Sequence, residues 1–196
     1  MPTLVTYRPA TPERWDDLLE LFGPNGAYSN CWCTWWVLPY RTWGAAEPEE
    51  RRDVLHRLTL EGAVPGILAY EDSTPVGWVA VGPRQRYARM MSTRAPINGP
   101  LDLDDPGWVV NCFFVPRDNR GRGIAGGLLK AAVEFAFDAD ATYVAGHPID
   151  AEDHGPGAAA LYVGTLSMFL AAGFTEVGRR GTRPVVRLNR SDYLRA

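Results

Sequence analysis

Apolar positions change period several times along this chain, and each change marks an element. Residues 4–7 alternate, which predicts a short strand. Thr11-Pro12-Glu13 then reads as a helix start: a capping hydroxyl, a proline at the first helical position and an acid at the positive end of the dipole. Trp15, Leu18, Leu19 and Phe22 follow at helical spacing, and Gly23-Pro24 stops the run. A second helix is predicted to open at Glu47-Pro48-Glu49-Glu50, carry Val54, Leu55 and Leu58, and end at Gly62. From Gly66 the period becomes two, and 67–70 with 76–81 read as an antiparallel hairpin. Residues 82–106 are polar and rich in Arg and Pro, a loop with one helical turn near 88–91. The most strand-like stretch is 108–115, followed by a helix with a broad apolar face over 124–137 and a short strand at 141–145. A polar, Gly/Pro-rich loop fills 146–160. A short helix over 165–172 ends at Gly173, and 174–180 with 183–188 close the chain as a hairpin around Gly181-Thr182. Neither an internal repeat nor a linker divides the sequence, so 1–196 is expected to be one α/β domain.

Composition narrows this picture. The 196 residues are 46% hydrophobic and 22% charged, a length that lets a single domain bury about 70% of its unfolded surface. Twenty glycines and 16 prolines fall short of the level that signals disorder. The net charge of −3 provides no general basic field for nucleic acid. Three cysteines, Cys31, Cys33 and Cys112, are too few and too odd in number for a disulfide framework and suit a reducing compartment. The N-terminus lacks the pattern of a signal peptide, and the longest apolar runs reach about half of the ~20 residues a membrane helix needs. A cytoplasmic protein, monomeric or homodimeric, with no membrane partner, is therefore expected. Tryptophan is the anomaly, because four of the seven (Trp32, Trp35, Trp36 and Trp43) fall in one short segment.

The densest chemical signal follows the 108–115 strand. There Pro116-Arg117-Asp118-Asn119 leads into Arg120-Gly121-Arg122-Gly123-Ile124-Ala125-Gly126 and the start of a helix. Glycines leave backbone N–H groups bare, and a helix N-terminus adds partial positive charge, so this turn is a candidate phosphate site with Arg120 and Arg122 at its rim. Residues 121–126 also match the dinucleotide pattern G-x-G-x-x-G. That pattern puts its first glycine directly after the strand, whereas here Pro116 to Arg120 intervene. The Walker pattern fails, since no Gly-Lys-Ser/Thr is present.

With Phe113-Phe114-Val115-Pro116 before it, Arg120-Gly121-Arg122-Gly123-Ile124-Ala125 resembles the acetyl-CoA signature of the GCN5-related N-acetyltransferases (GNAT). The order of elements is similar too, and Ala171-Ala172-Gly173-Phe174 resembles that family's late helix and its Gly-Phe. The resemblance implies a GNAT-like single domain: a mixed, mostly antiparallel sheet of about seven strands flanked by about four helices. It implies that 120–126 hold the pyrophosphate of acetyl-CoA, and that Phe113, Phe114 and Val115 meet the pantetheine arm as an added strand would. A backbone N–H near Phe113 or Phe114 would face the developing oxyanion. No metal is implied. The implied activity is acetyl transfer to the amine of a small molecule by direct attack on the thioester. A non-catalytic acyl-CoA sensing module and a dinucleotide-dependent oxidoreductase are the alternatives.

Catalytic and acceptor groups are less sharply marked. The family often places a tyrosine four residues before the Gly-Phe glycine, where it protonates the leaving thiolate; here that position is Phe169. Tyr162, seven residues earlier, is the alternative phenol, or else a packing residue. His147, just beyond the 141–145 strand, is of a type suited to proton transfer near neutral pH, though a lone His before Pro148 more often has a structural or solvated role. In the resembled family the connection between the first two helices borders the acceptor, which nominates Tyr28, Trp32, Trp35 and Trp36 as aromatic walls. Asp150 would suit a cationic amine. The same tryptophans could simply be packed, and Cys31-x-Cys33 lacks a second pair at zinc spacing.

Overall fold

A computed structural model of the chain describes residues 4–91, 106–150, 158–180 and 183–195. Seven strands, β1 (Val5–Pro9), β2 (Gly66–Glu71), β3 (Thr74–Pro83), β4 (Trp108–Phe114), β5 (Tyr143–Gly146), β6 (Thr175–Arg180) and β7 (Arg183–Asn189), form one sheet in the order β1-β2-β3-β4-β5-β7-β6. Every neighbouring pair is antiparallel except β4–β5. The helices are α1 (Trp15–Phe22), α2 (Tyr40–Ala45), α3 (Pro48–Leu60), α4 (Ala88–Met91), α5 (Ile124–Asp138), α6 (Leu166–Ala171) and α7 (Arg190–Tyr193). The four expected helices are present, with α2 and α7 as short additions. The expected loop over 82–106 and the tip at Gly181-Thr182 lie largely outside the described residues.

Each principal helix forms where its sequence signals say. α3 starts with a capping box, in which the Glu47 N–H donates to the Glu50 carboxylate at 2.8 Å. α1 is preceded by a 3-10 turn over Pro12–Arg14, and Thr11 does not cap it. The Thr11 hydroxyl instead accepts from Arg14 Nη1 at 2.9 Å. α5 buries Ile124, Leu128, Leu129, Ala132, Val133 and Ala136 on one face of the sheet, among Val79, Val81, Val110 and Val144. Close approach there is set by glycine: a Cβ on Gly77 would lie 2.9 Å from Ile124 Cγ2, and one on Gly127 1.8 Å from Tyr7 Oη. The opposite face carries Leu68, Trp78, Ala80 and Cys112, covered by Leu18 and Phe22 of α1, by Leu55 of α3 and by Trp32.

Two irregularities in β4 position the site. The β3–β4 register shifts between Ala80 and Val81, paired with Cys112 and Val110 respectively, so Asn111 is the extra residue of a bulge. The parallel pairing with β5 ends at Val110↔Gly146, while β4 continues beside β3 as far as Phe114. Past Asn111, β4 therefore keeps one partner and loses the other. Phe169 of α6 fills the base of this opening. It is fully buried, edge-on to Phe113 at 6.2 Å, and a Cβ on Gly146 would come within 2.4 Å of its ring.

Candidate active site

The turn between β4 and α5 borders a cleft of about 400 Å³ lined by Val115, Asn119, Arg120, Gly121, Gly123, Ile124, Ala125, Gly126 and Met168. Gly121 and Gly123 sit at φ +74° and +78°, the left-handed region that side chains resist. Asn119 and Arg120 N–H groups are used within the turn, and Gly127 N–H donates to the Gly123 carbonyl at 3.1 Å. Among the described residues the six N–H groups of 121–126 have no backbone acceptor, as a helix start and its glycine turn require. Cβ atoms on Gly121, Gly123 and Gly126 would meet nothing within 4 Å, so this row opens onto free space. Arg120 Nε donates to the Val115 carbonyl at 3.0 Å and stays at the rim. Arg122 turns away to an ion pair with Glu71 of β2 and to Asn119 Oδ1. Of the nominated donor residues, Arg122 turns away and Phe113 and Phe114 pack into the core on either side of β4, whereas Val115, Arg120, Gly121, Gly123, Ile124, Ala125 and Gly126 line this cleft. Asn119 and Met168 join them, the latter brought by a helix remote in sequence.

Residues 158–163, a 3-10 stretch, pack against β4 where β5 has left it. They bring Tyr162 onto the buried cluster that includes Phe22, Trp32, Cys33, Trp78 and Cys112. Burial first, and the Cys112 thiol second, raise the Tyr162 pKa, while Arg183 and Arg89 oppose the rise. Its phenol is therefore protonated at neutral pH and can only give a proton. His147 is buried immediately past Gly146, at the point where the two strands part. Asp150 is engaged by Arg179 Nη2 at 2.8 Å.

The tryptophan segment is built around internal contacts. Ala27, Ser29, Asn30, Trp32 and Cys33 all have positive φ without being glycine, an unusual concentration of backbone strain. Burial of Trp32 beside Phe22, the Thr34 hydroxyl donating to the Cys31 carbonyl at 2.8 Å, and Arg51 donating to the Asn30 carbonyl hold it. Arg89 lies 3.7 Å over Trp35 and Arg51 4.0 Å over Trp43, so the cations on these rings are the protein's own. Trp36 packs against Tyr87, Met90 and Val109, and Tyr28 stands exposed. The segment borders β4 through Cys33, whose Sγ lies 3.2 Å from Cys112 Sγ.

All three cysteines are free, and burial pushes the Cys31 thiol up to about 11. Cys33 rises too, first through its contact with Cys112 and then through burial. Cys31 and Cys33 are therefore thiols at neutral pH, and among the described residues no group of three metal-ligating side chains forms. A pH dependence follows. Unfolded thiols ionise near 9, whereas folded Cys31 keeps its proton to about 11. The unfolded state is therefore favoured progressively as pH rises through this window. Stability should fall by about 2–3 kcal/mol between pH 9 and 11 from Cys31 alone. Urea unfolding at pH 7, 9 and 10.5 measures it; a flat profile would mean the thiols are not shielded.

Comparison with known proteins agrees with this architecture. Similar solved structures include an N-acetyltransferase from Staphylococcus aureus Mu50 (TM-score 0.55, 16% identity, 95% of this chain and 99% of that one). A ribosomal-protein-alanine N-acetyltransferase from Brucella melitensis gives 0.54, 18%, 94% and 99%. The aminoglycoside acetyltransferase AAC(6')-Ib, solved with coenzyme A, gives 0.59, 17%, 98% and 99%. At these identities the likeness is one of fold. The model of the acetyltransferase (GNAT) family matches residues 30–164, and the chain belongs to that family. No curated protein matches the chain significantly. Among the described residues, no helix is long and apolar enough to cross a membrane.

Proposed function

We propose that this chain is an acetyl-CoA-dependent N-acetyltransferase, with 1–196 acting as one catalytic domain, and that its acceptor is the amine of a small molecule. The observation that carries the reading is the row of six open N–H groups at 121–126 beside the unpaired edge of β4. The first feature suits a pyrophosphate, held by backbone donors and the start of α5. The second suits an extended arm of amide groups, which can add to β4 as a further strand. Free space over Gly121, Gly123 and Gly126 lets a phosphate reach the backbone, so the residues present fit the donor. The donor brings an acyl group already activated as a thioester. In the reaction the amine nitrogen bonds the acyl carbon, the C–S bond breaks, the sulfur takes a proton and the amine gives one up. Tyr162 supplies the proton to sulfur in place of the phenol that Phe169 lacks, since its buried phenol carries a proton at neutral pH. His147, where the strands part, takes the proton from nitrogen. Trp36 forms the acceptor wall, Trp35 being covered by Arg89, while Trp32 supports it from the core.

Family membership and the interrupted glycine pattern leave the dinucleotide reading without support. Calorimetry with acetyl-CoA, NAD and NADP tests the donor assignment. Acetyl-CoA is expected to bind one site per chain and the dinucleotides not at all. Absence of acetyl-CoA binding would overturn the assignment.

A further inference from the structure

Three side chains at one face of β4 hold buried polar atoms that, among the described residues, have no full hydrogen bond. Asn111, at the bulge, is 1% exposed, and neither its Oδ1 nor its Nδ2 makes a hydrogen bond. Tyr87 is equally buried, and its Oη is also unpartnered. Burial pushes the Tyr87 phenol up to about 12, opposed first by the Arg86 guanidinium and then by Asn111, whose side chain lies close enough to hydrogen-bond the phenolate. Trp36, whose Nε1 is buried and unpartnered, packs on the same small cluster of Tyr87, Met90 and Val109. Native proteins leave few such groups, because each costs the desolvation of an unmet donor or acceptor. Trp36, Tyr87 and Asn111 bring four such atoms to the stretch where β4 bulges and β5 departs, on the face that carries the tryptophan segment. Local rules broken together beside a reaction site point to a ligand that completes them.

We propose that Trp36, Tyr87 and Asn111 form the acceptor subsite and that they read an amine whose adjacent carbon bears a carbonyl or carboxyl oxygen, as in an amino acid or its amide. This rests on the acetyl-transfer reading above and names its substrate class. The donor count makes the argument. Trp36 Nε1 and Asn111 Nδ2 can only donate, Tyr87 Oη donates or accepts, and Asn111 Oδ1 only accepts. A carbonyl oxygen takes two of the donors, and the neighbouring amine N–H matches Oδ1. A plain alkylamine offers no oxygen, and Trp36 and Nδ2 would stay unmet. Among the described residues no Asp or Glu is buried, so this face holds no buried countercharge for a polycation.

Matched acceptors test it: alaninamide against isopropylamine, and phenylalaninamide against 2-phenylethylamine, each read by CoA-thiol release with acetyl-CoA. In the wild type, kcat/KM is expected to favour the carbonyl member of at least one pair by about ten-fold or more, since a site built for hydrogen bonds discriminates against the analogue lacking them. Asn111→Leu should bring that ratio close to one through KM, with acetyl-CoA affinity unchanged by calorimetry. Tyr87→Phe should lower it part of the way. Free of ligand, Asn111→Leu should melt above the wild type, because an apolar side chain of similar shape relieves an unmet group. No discrimination in either pair, or equal losses on both members in Asn111→Leu, overturns the subsite. A lower melting temperature for Asn111→Leu does the same, since an internal water would then already satisfy the carboxamide. If the wild type binds acetyl-CoA but releases no thiol with any amine, the transfer reading itself fails, a result distinct from the loss of discrimination alone.

Discussion

Gly126→Leu is expected to weaken acetyl-CoA binding about 100-fold or more while leaving the fold at least as stable as the wild type. The two effects separate because of where Gly126 sits. It lies in the first turn of α5, where glycine is the poorest helix former short of proline, so leucine should favour the helix by up to about 1 kcal/mol. A Cβ at this position meets no atom within 4 Å, so nothing in the protein must move to admit it. The same open space is the cleft lined by Gly121, Gly123 and Gly126, and a leucine would occupy the volume over the bare N–H row. Urea unfolding and acetyl-CoA calorimetry on one preparation read both quantities. Unchanged affinity in a folded Gly126→Leu protein would move the donor site elsewhere.

Phe169→Ala should cost about 3–5 kcal/mol, a large part of the roughly 5–15 kcal/mol that holds a domain together. The ring is fully buried and meets Phe113 and Phe174 edge-on at 6.2 and 5.0 Å. It also fills the hollow left by two glycines, since a Cβ on Gly146 or Gly164 would come within 2.4 or 2.9 Å of it. Because it stands at the base of the opening between β4 and β5, its loss removes the support for the separation as well as the packing. Acetyl-CoA affinity should therefore drop with stability, in contrast to Gly126→Leu. A cost below about 1.5 kcal/mol would show that the hollow refills from other side chains.

The contrast between Phe169 and the glycine turn shows what the sequence could reveal. The turn was readable because its signals are local: a run of glycines, a strand before it and a helical period after it. All of 120–126 except Arg122 border one cleft. The 165–172 helix was readable for the same reason, and the structure shows Thr165 capping it, its hydroxyl accepting from Met168 N–H at 3.3 Å. By contrast, the arginines over Trp35 and Trp43 come from α3 and α4, so the aromatic density in 32–43 could not disclose that its rings were already occupied. Met168 reaches the cleft only through the packing of α6 against α5. Asn111 left a trace that went unread, a lone carboxamide inside the apolar run 108–115. A buried strand rarely keeps such a group without a reason, but the bulge that explains it depends on register with β3, which no local pattern encodes.

Product analysis tests the central claim most directly. The protein is incubated with acetyl-CoA and alaninamide, and both free thiol and acetylated amine are quantified by mass spectrometry. Acetyl transfer predicts one acetylated product for each thiol released, with Tyr162→Phe slowing the reaction. Saturable acetyl-CoA binding with no acetylated product from any amine would contradict it and leave a protein that binds the donor without using it.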